Sequence, residues 1–319
     1  MMIAVQLNQK AEFNALWNWA KTYMCISDRN HPSHGYFSWS CKTDGTPNEE
    51  TAAPDGEEYF VMSLYLAANR WGNGAGIYDY KREADELLTN MRHGAEKTGP
   101  TKFGMRTVAA EVNEEAKMIR FVPSITRGDF TDPSYHLPAF YELWARWGPP
   151  PDRDFWANAA EASQAFFPKN TNPNTGLAPA YANFDGTPHA TSFPQSTIFG
   201  YDSWRTASNW SVDWSWWRKA PQEQQLSDRI QSFFWSQGLS TYGDLYSLDS
   251  KPVSAHHSTG LVATNAVASF AATNPHAKDF VKELWEVPVP SGQMRYYDGM
   301  LYLMSLLHCG GHFRIWAPR

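Results

Sequence analysis

The chain has 319 residues, a net charge of −6, 42% hydrophobic residues and three cysteines. That length and apolar content suffice for a large buried core. The lack of a basic run argues against a nucleic-acid partner, and no apolar stretch reaches membrane-spanning length. Aromatic residues are the departure, with 15 Trp, 15 Tyr and 18 Phe; this composition fits either a sugar cleft or bulky helix packing. Cys25, Cys41 and Cys309 are odd in number and far apart, without zinc or redox spacing, so they read as reduced thiols. They favour a reducing, cytoplasmic setting over secretion. The Met1–Leu7 run lacks a basic flank and a small-residue cleavage site, so it does not read as a signal peptide.

Taken in order, the chain opens on an uncapped helical run, turns at residues 8–10, and enters an amphipathic helix. Phe13, Leu16, Trp17, Ala20 and Met24 are expected on one face of that helix. Residues 27–50 are rich in Gly, Pro, Ser and Asn, with a short strand expected at Tyr36–Trp39. Helices are expected over 54–70 and 80–95, then an irregular stretch over 98–131 with one strand at Met118–Val122. Asp132-Pro133 opens a helix to Trp147, since proline suits a first turn. Further helices are expected over 154–167, 199–218, 223–236, 258–272, 277–286 and 298–309. Strand signal is scarce and no sequence repeat is present, which disfavours a solenoid. The expected fold is all-α, a closed barrel of helical hairpins forming one domain over 1–319, with a cleft where helix N-termini gather.

Three carboxylates sit at helix starts: Asp55, Asp132 and Asp202. Asp202 begins an aromatic-rich helix, preceded by Tyr201, and Arg205 shares its face one turn on. An ionised carboxylate beside flat rings suits sugar chemistry, where a base activates water; the bland alternative is a capping Asp with an i,i+3 arginine. Asp55 precedes Gly56, which leaves room for a ligand, and Asp132 reads as a structural cap with Tyr135 one turn later. Glycoside hydrolysis needs one protonated and one ionised carboxyl, and a wide separation gives inversion. Neither His31/His34 nor His256/His257 has metal-ligand spacing, so no metal or other cofactor is expected.

Long ordered segments then resemble glycoside hydrolase family 8, in its xylan-active branch of reducing-end xylose-releasing exo-oligoxylanases. They include Met1-Met-Ile-Ala-Val-Gln, Ala53-Pro-Asp-Gly-Glu-Glu-Tyr-Phe, Asp132-Pro-Ser-Tyr-His-Leu-Pro, Tyr181-Ala-Asn-Phe-Asp-Gly-Thr-Pro, Gly260-Leu-Val-Ala-Thr-Asn-Ala and Arg295-Tyr-Tyr-Asp. The resemblance implies an (α/α)6 barrel and inverting hydrolysis of β-1,4-linked xylo-oligosaccharides. It implies Asp202 as general base, Tyr135 as holder of the water, Asp55 as the carboxylate on the distorted sugar, and Arg205 as the residue orienting the base. Trp39, Tyr201 and Tyr297 become sugar contacts, and His257 the contact to the reducing-end hydroxyl.

Two departures qualify the resemblance. The family's general-acid glutamate lies in a Ser/Thr-Glu-Gly-x-x-Tyr-Gly motif before the Met-Met-Ile-Ala-Val segment, and these 319 residues do not contain that motif. The expectation is a barrel short of its first helix, with Ile3, Val5 and Leu7 exposed and self-association through that open edge. The exo-acting members carry Leu-His-Pro where this chain has His256-His257-Ser258, which leaves endo action open. The competing readings are a catalytically impaired xylan-binding member and a helical toroid that binds protein.

Overall fold

The computed structural model describes residues 1–318, apart from the Arg127 side chain. They form two compact units, Met1–Asp129 with Ala145–Arg153 and Arg314–Arg319, and Phe130–Trp144 with Asp154–Phe313.

In the first unit, α1 (Met2–Gln6) and α2 (Lys10–Trp19) lead to α3 (Pro54–Trp71) and α4 (Tyr80–His93). Proline at the first turn of α3 costs no hydrogen bond, and Asp55 and Glu57 in that turn complement the helix dipole. The Asp79 side chain caps α4 by accepting from the Arg82 amide. Arg70 reaches from α3 to the Val5 and Gln6 carbonyls (2.6 and 3.0 Å), satisfying orphan acceptors at the end of α1. Val5 is fully buried and Ile3 half buried, contrary to the expectation that this segment lies open; only Leu7 of the three named residues is exposed.

The helix expected to run to Met24 widens into a π-turn over Ala20–Met24. Its buried line is Phe13, Trp17 and Ala20, while Leu16, one 100° step from Trp17, is 50% exposed. The strand expected at Tyr36–Trp39 reduces to a single bridge between Cys25 and Phe37. Conversely, the stretch read as irregular holds an antiparallel hairpin, β1 (Lys97–Thr101) with β2 (Gly104–Val108), and a shorter one, β3 (Val112–Asn113) with β4 (Met118–Ile119). Gly and Pro within Lys-Thr-Gly-Pro-Thr hide the first strand from propensity, and Gly104 at φ 94° makes its tight turn.

The second unit holds most of α5 (Pro138–Trp147) and of α6 (Arg153–Asn170), then α7 (Trp204–Trp217), α8 (Gln222–Ser236), α9 (Thr259–Ala268), α10 (Ala277–Glu286) and α11 (Tyr297–Cys309). The helix expected from Asp132 starts later: Pro133–Tyr135 form a 3-10 turn, and α5 follows. α6 passes through Pro168, and the Gln164 carbonyl that this proline cannot bond accepts from the Gln222 side chain (3.4 Å). α9 has almost no polar face and is buried from Gly260 to Ala268, packed on α7, α10 and α11. Phe167, Phe199, Trp204, Trp210, Ile230, Phe234 and Leu261 form the core between these helices. The three cysteines are free thiols.

The first unit also buries carboxyls. Glu57 is 1% exposed and accepts from the Phe37 amide (2.9 Å), and Glu111 is fully buried. Desolvation raises the Glu57 carboxyl to about 8 and Glu111 well above its ordinary value, with neighbouring acids adding to both shifts. Such groups favour the folded state only while protonated. Their contribution is full below about pH 4.5 and is lost as the pH rises toward 8. Thermal melts should therefore show the protein losing stability across this window. Glu57→Gln, neutral throughout, should be more stable than wild type at pH 8 by a few kcal/mol, since each tenfold gain in proton affinity is worth about 1.4 kcal/mol. Parallel melting curves for the two proteins from pH 5 to 8 would contradict this.

Candidate active site

The second unit builds a carboxylate site from a turn, one helix face and the start of another helix. At Gly200 the backbone runs close under Leu245: a Cβ would meet Leu245 Cδ2 at 2.3 Å, so a larger residue would make that side chain turn aside. Tyr201 follows in the left-handed region at φ 49°, a strained conformation for a non-glycine residue. The 3-10 turn Tyr201–Ser203 then places Asp202 just ahead of α7. Asp202 makes the expected i,i+3 pair with Arg205, although it does not cap α7: Arg205 Nη2 donates to Oδ1 at 2.9 Å. The Tyr297 hydroxyl, from the first residue of α11, donates to the same oxygen at 3.3 Å. The side chain of Asp202 is 35% exposed, so water reaches it.

Arg205 also stacks its guanidinium 5.5 Å from the Tyr135 ring centroid. The turn that presents Tyr135 is held by Asp132, whose Oδ1 accepts from the Ser134 amide (2.7 Å) and whose carbonyl accepts from the Tyr135 amide (3.0 Å). Asn209, a further turn along the α7 face, donates to the Ser134 carbonyl (2.6 Å). Tyr201 packs on Trp204 (5.5 Å between centroids), and Trp204 on Tyr297 (5.9 Å). The structure thus joins Asp202, Arg205, Tyr135, Tyr297 and Tyr201.

His257 lies in the loop before α9, half buried. Two expected site residues belong to the first unit: Asp55, half buried as the second residue of α3, and Trp39, which is 56% exposed. Among the described residues, no group of three or more His, Cys, Asp or Glu is arranged to hold a metal ion.

The residue whose importance sequence reasoning missed is Asp132. It does cap its turn, as read, and it is also fully buried beside the Asp202 charge. Desolvation first, and the Asp202 carboxylate second, push its carboxyl well above the ordinary range, against the pull of Arg205. Its carboxyl is thereby held toward the neutral form. Tyr297 is likewise pushed well above the usual phenol value, chiefly by burial, so it stays a hydrogen-bond donor.

A mostly helical frame carrying an arginine-paired, water-accessible carboxylate among aromatic rings fits a sugar-cleaving enzyme. The family model for "Glycosyl hydrolases family 8" matches residues 1–311. The reducing-end xylose-releasing exo-oligoxylanase Rex8A of Paenibacillus barcinonensis is 43% identical over 99% of this chain and 80% of its own length. A solved family 8 enzyme of Teredinibacter turnerae, in complex with xylobiose, superposes with a TM-score of 0.97 at 51% identity, covering 100% of this chain and 81% of that one. More distantly, Endoglucanase 2 of Ruminiclostridium josui is 27% identical over 98% of this chain and 62% of its own length. The chain belongs to glycoside hydrolase family 8, as its motifs indicate. Its fold is the (α/α)6 barrel of that family, and it is a glycoside hydrolase.

Asp132 as a neutral cap can be tested by substitution. Asp132→Asn keeps the accepting oxygen and the missing charge, and should unfold in urea within about 1 kcal/mol of wild type at pH 7. Asp132→Ala removes the cap and leaves a hole, costing about 1–3 kcal/mol. Equal losses in the two variants would contradict the role of a neutral cap.

Proposed function

We propose that this protein hydrolyses β-1,4-linked xylo-oligosaccharides with inversion, releasing xylose from the reducing end. The observation that carries the reading is the Asp202 carboxylate, with Arg205 and Tyr297 both donating to Oδ1. Asp202 acts as general base: it takes a proton from water as the oxygen attacks the anomeric carbon, while the bond from that carbon to the leaving sugar's oxygen breaks and that oxygen takes a proton from an acid that the described residues do not supply. Tyr135, set beside Arg205 by the Asp132 turn, holds that water. Arg205 fixes the orientation of the base. Tyr201 offers its ring to a pyranose face, and the family resemblance adds Asp55 and Trp39 as sugar contacts. The substrate class is supported by the relatives named for exo-oligoxylanase action and by the T. turnerae structures with xylobiose and with xylohexaose.

A leaving alkoxide needs a proton, and general acid catalysis is worth about 10²–10⁴-fold. Glu57 has a raised proton affinity but is sealed from water and bonded to the Phe37 amide. The family's acid motif is not among these 319 residues. We therefore assign the base and the water site to this chain and the acid to none of its described residues.

Endo action is the second reading, and one observation favours it. His256 and Ser258 stand where the exo-acting branch has leucine and proline, and here they hold the loop differently: His256 Nδ1 lies 2.7 Å from Asp244 Oδ2, and Ser258 caps α9. The T. turnerae neighbour with xylohexaose is itself described as a xylanase.

The test is a proton NMR time course with xylotriose. Inverting hydrolysis gives the new reducing end first as the α-anomer, with xylose as co-product, and Asp202→Asn lowers the rate by about 10²–10⁴. A β-anomer appearing first, or full activity in Asp202→Asn, would overturn the assignment. Xylohexaose cleaved first to xylotriose would decide for endo action.

A further inference from the structure

The loop before α9 is fastened at three points that the hydrolytic reading does not use. His256 Nδ1 lies 2.7 Å from Asp244 Oδ2. His257 Nδ1 lies 2.9 Å from the Tyr242 carbonyl oxygen, and its Nε2 lies 3.3 Å from Glu283 Oε1 on α10. Ser258 Oγ donates to Asp298 Oδ2 (2.9 Å) and accepts from the Gly260 amide (3.1 Å), capping α9. Asp298 directly follows Tyr297, whose hydroxyl donates to Asp202. The loop and the base are thus fastened to adjacent residues of α11.

The His257 contacts decide its protonation. A carbonyl oxygen only accepts, so Nδ1 carries a hydrogen. In the neutral ring this would leave a lone pair on Nε2 turned toward a carboxylate oxygen. Glu283 is buried, and its other oxygen, Oε2, has no hydrogen-bond partner. The contact at Nε2 is not aligned as a hydrogen bond, so it acts through charge. Lone pair against carboxylate at 3.3 Å repels, and an imidazolium there attracts. The groups facing His257 are Glu283 from α10, Asp244 from the preceding loop, and the Tyr242 ring, edge-on at 4.5 Å. The neighbouring base, His256, is engaged by Asp244. Burial works against the His257 charge, but Glu283 and the Tyr242 carbonyl outweigh it and raise the ring above the ordinary histidine value.

We propose that Glu283 is a positioning residue for sugar binding, which keeps His257 cationic and so pins the 256–258 loop beside the start of α11. The proposal rests on the xylo-oligosaccharide reading and adds a pH-dependent element to it. Once His257 loses its proton, the Glu283 contact turns repulsive, the loop loosens, and sugar affinity falls.

The experiment follows the ring ¹⁵N resonances of His257 against pH, and the affinity for xylotriose by calorimetry below and above the midpoint, in wild type and Glu283→Gln. Wild-type His257 should titrate above about 6.5, and the midpoint should fall by about one pH unit or more in the variant. Wild-type affinity should drop about tenfold across the titration, while Glu283→Gln binds weakly at both pH values. Glu283→Asp, with a longer gap to the ring, should lie between them and serves if the Gln variant does not fold. An unmoved His257 midpoint in a folded variant, or a wild-type affinity that ignores pH, overturns the proposal. Wild-type protein that binds no xylotriose at any pH contradicts the substrate reading, whereas a His257 midpoint that still moves with Glu283 upholds the pairing.

Discussion

The site depends on the register of one helix face. Asp202, Arg205 and Asn209 recur at three- and four-residue spacing at the start of α7, so they point the same way. Each fixes a different partner: Asp202 meets Tyr297 of α11, Arg205 covers the Tyr135 ring, and Asn209 holds the Ser134 carbonyl. A shift of α7 by a single residue would turn all three away together. The inner side of the same helix is locked by Trp204 and Trp210, whose indole N–H groups donate to the Asp244 carbonyl (3.0 Å) and Ser227 Oγ (2.7 Å). Large rings with one polar tip give the helix both packing and a fixed rotation.

Buried acids are the second recurring device. Asp132 in the site and Glu57 and Glu111 in the first unit are all held toward the neutral form by burial. Asp213 and Glu223 repeat the pattern, with Asp213 raised to about 7 and Glu223 to about 11 by desolvation first. A neutral carboxyl places an acceptor and a donor where a charge would be costly. At Asp132 it also spares the base: an ionised neighbour would oppose the negative charge that Asp202 needs for its task. Arg205 pairs with Asp202 and also pulls on Asp132, where burial outweighs that pull.

The helices were legible because apolar spacing and boundary residues agreed: Pro54 at a first turn, Pro133 opening a turn, Ser258 before α9. What sequence could not supply came from long-range packing. The hairpin at 97–108 carries Gly and Pro that argue against strands, and it forms because its five residue pairs fall into register. The π-turn after Trp19 has no local signal. In the site, Asp202 and Arg205 were readable from their spacing. Tyr297 was readable only as a ring; its hydrogen bond to Asp202 spans 95 positions. Asp132 looked like any capping aspartate, since the proximity of a second carboxylate is a property of the fold. His257 stood out through its sequence neighbours, but Glu283 did not, because nothing in α10 marks one buried glutamate among its exposed charges.

Everything at the site turns on Arg205 keeping Asp202 ready to take a proton from water. The decisive substrate is 2,4-dinitrophenyl β-xylobioside, whose phenolate departs without a proton, so that the rate reports the base alone. The rate of wild type at pH 7 is compared with those of Asp202→Asn and Arg205→Met. Removing the base should cost about 10²–10⁴-fold, and removing the arginine that orients it about 10–10²-fold. A full rate in either variant would refute the role of that residue, and the base would have to be sought elsewhere.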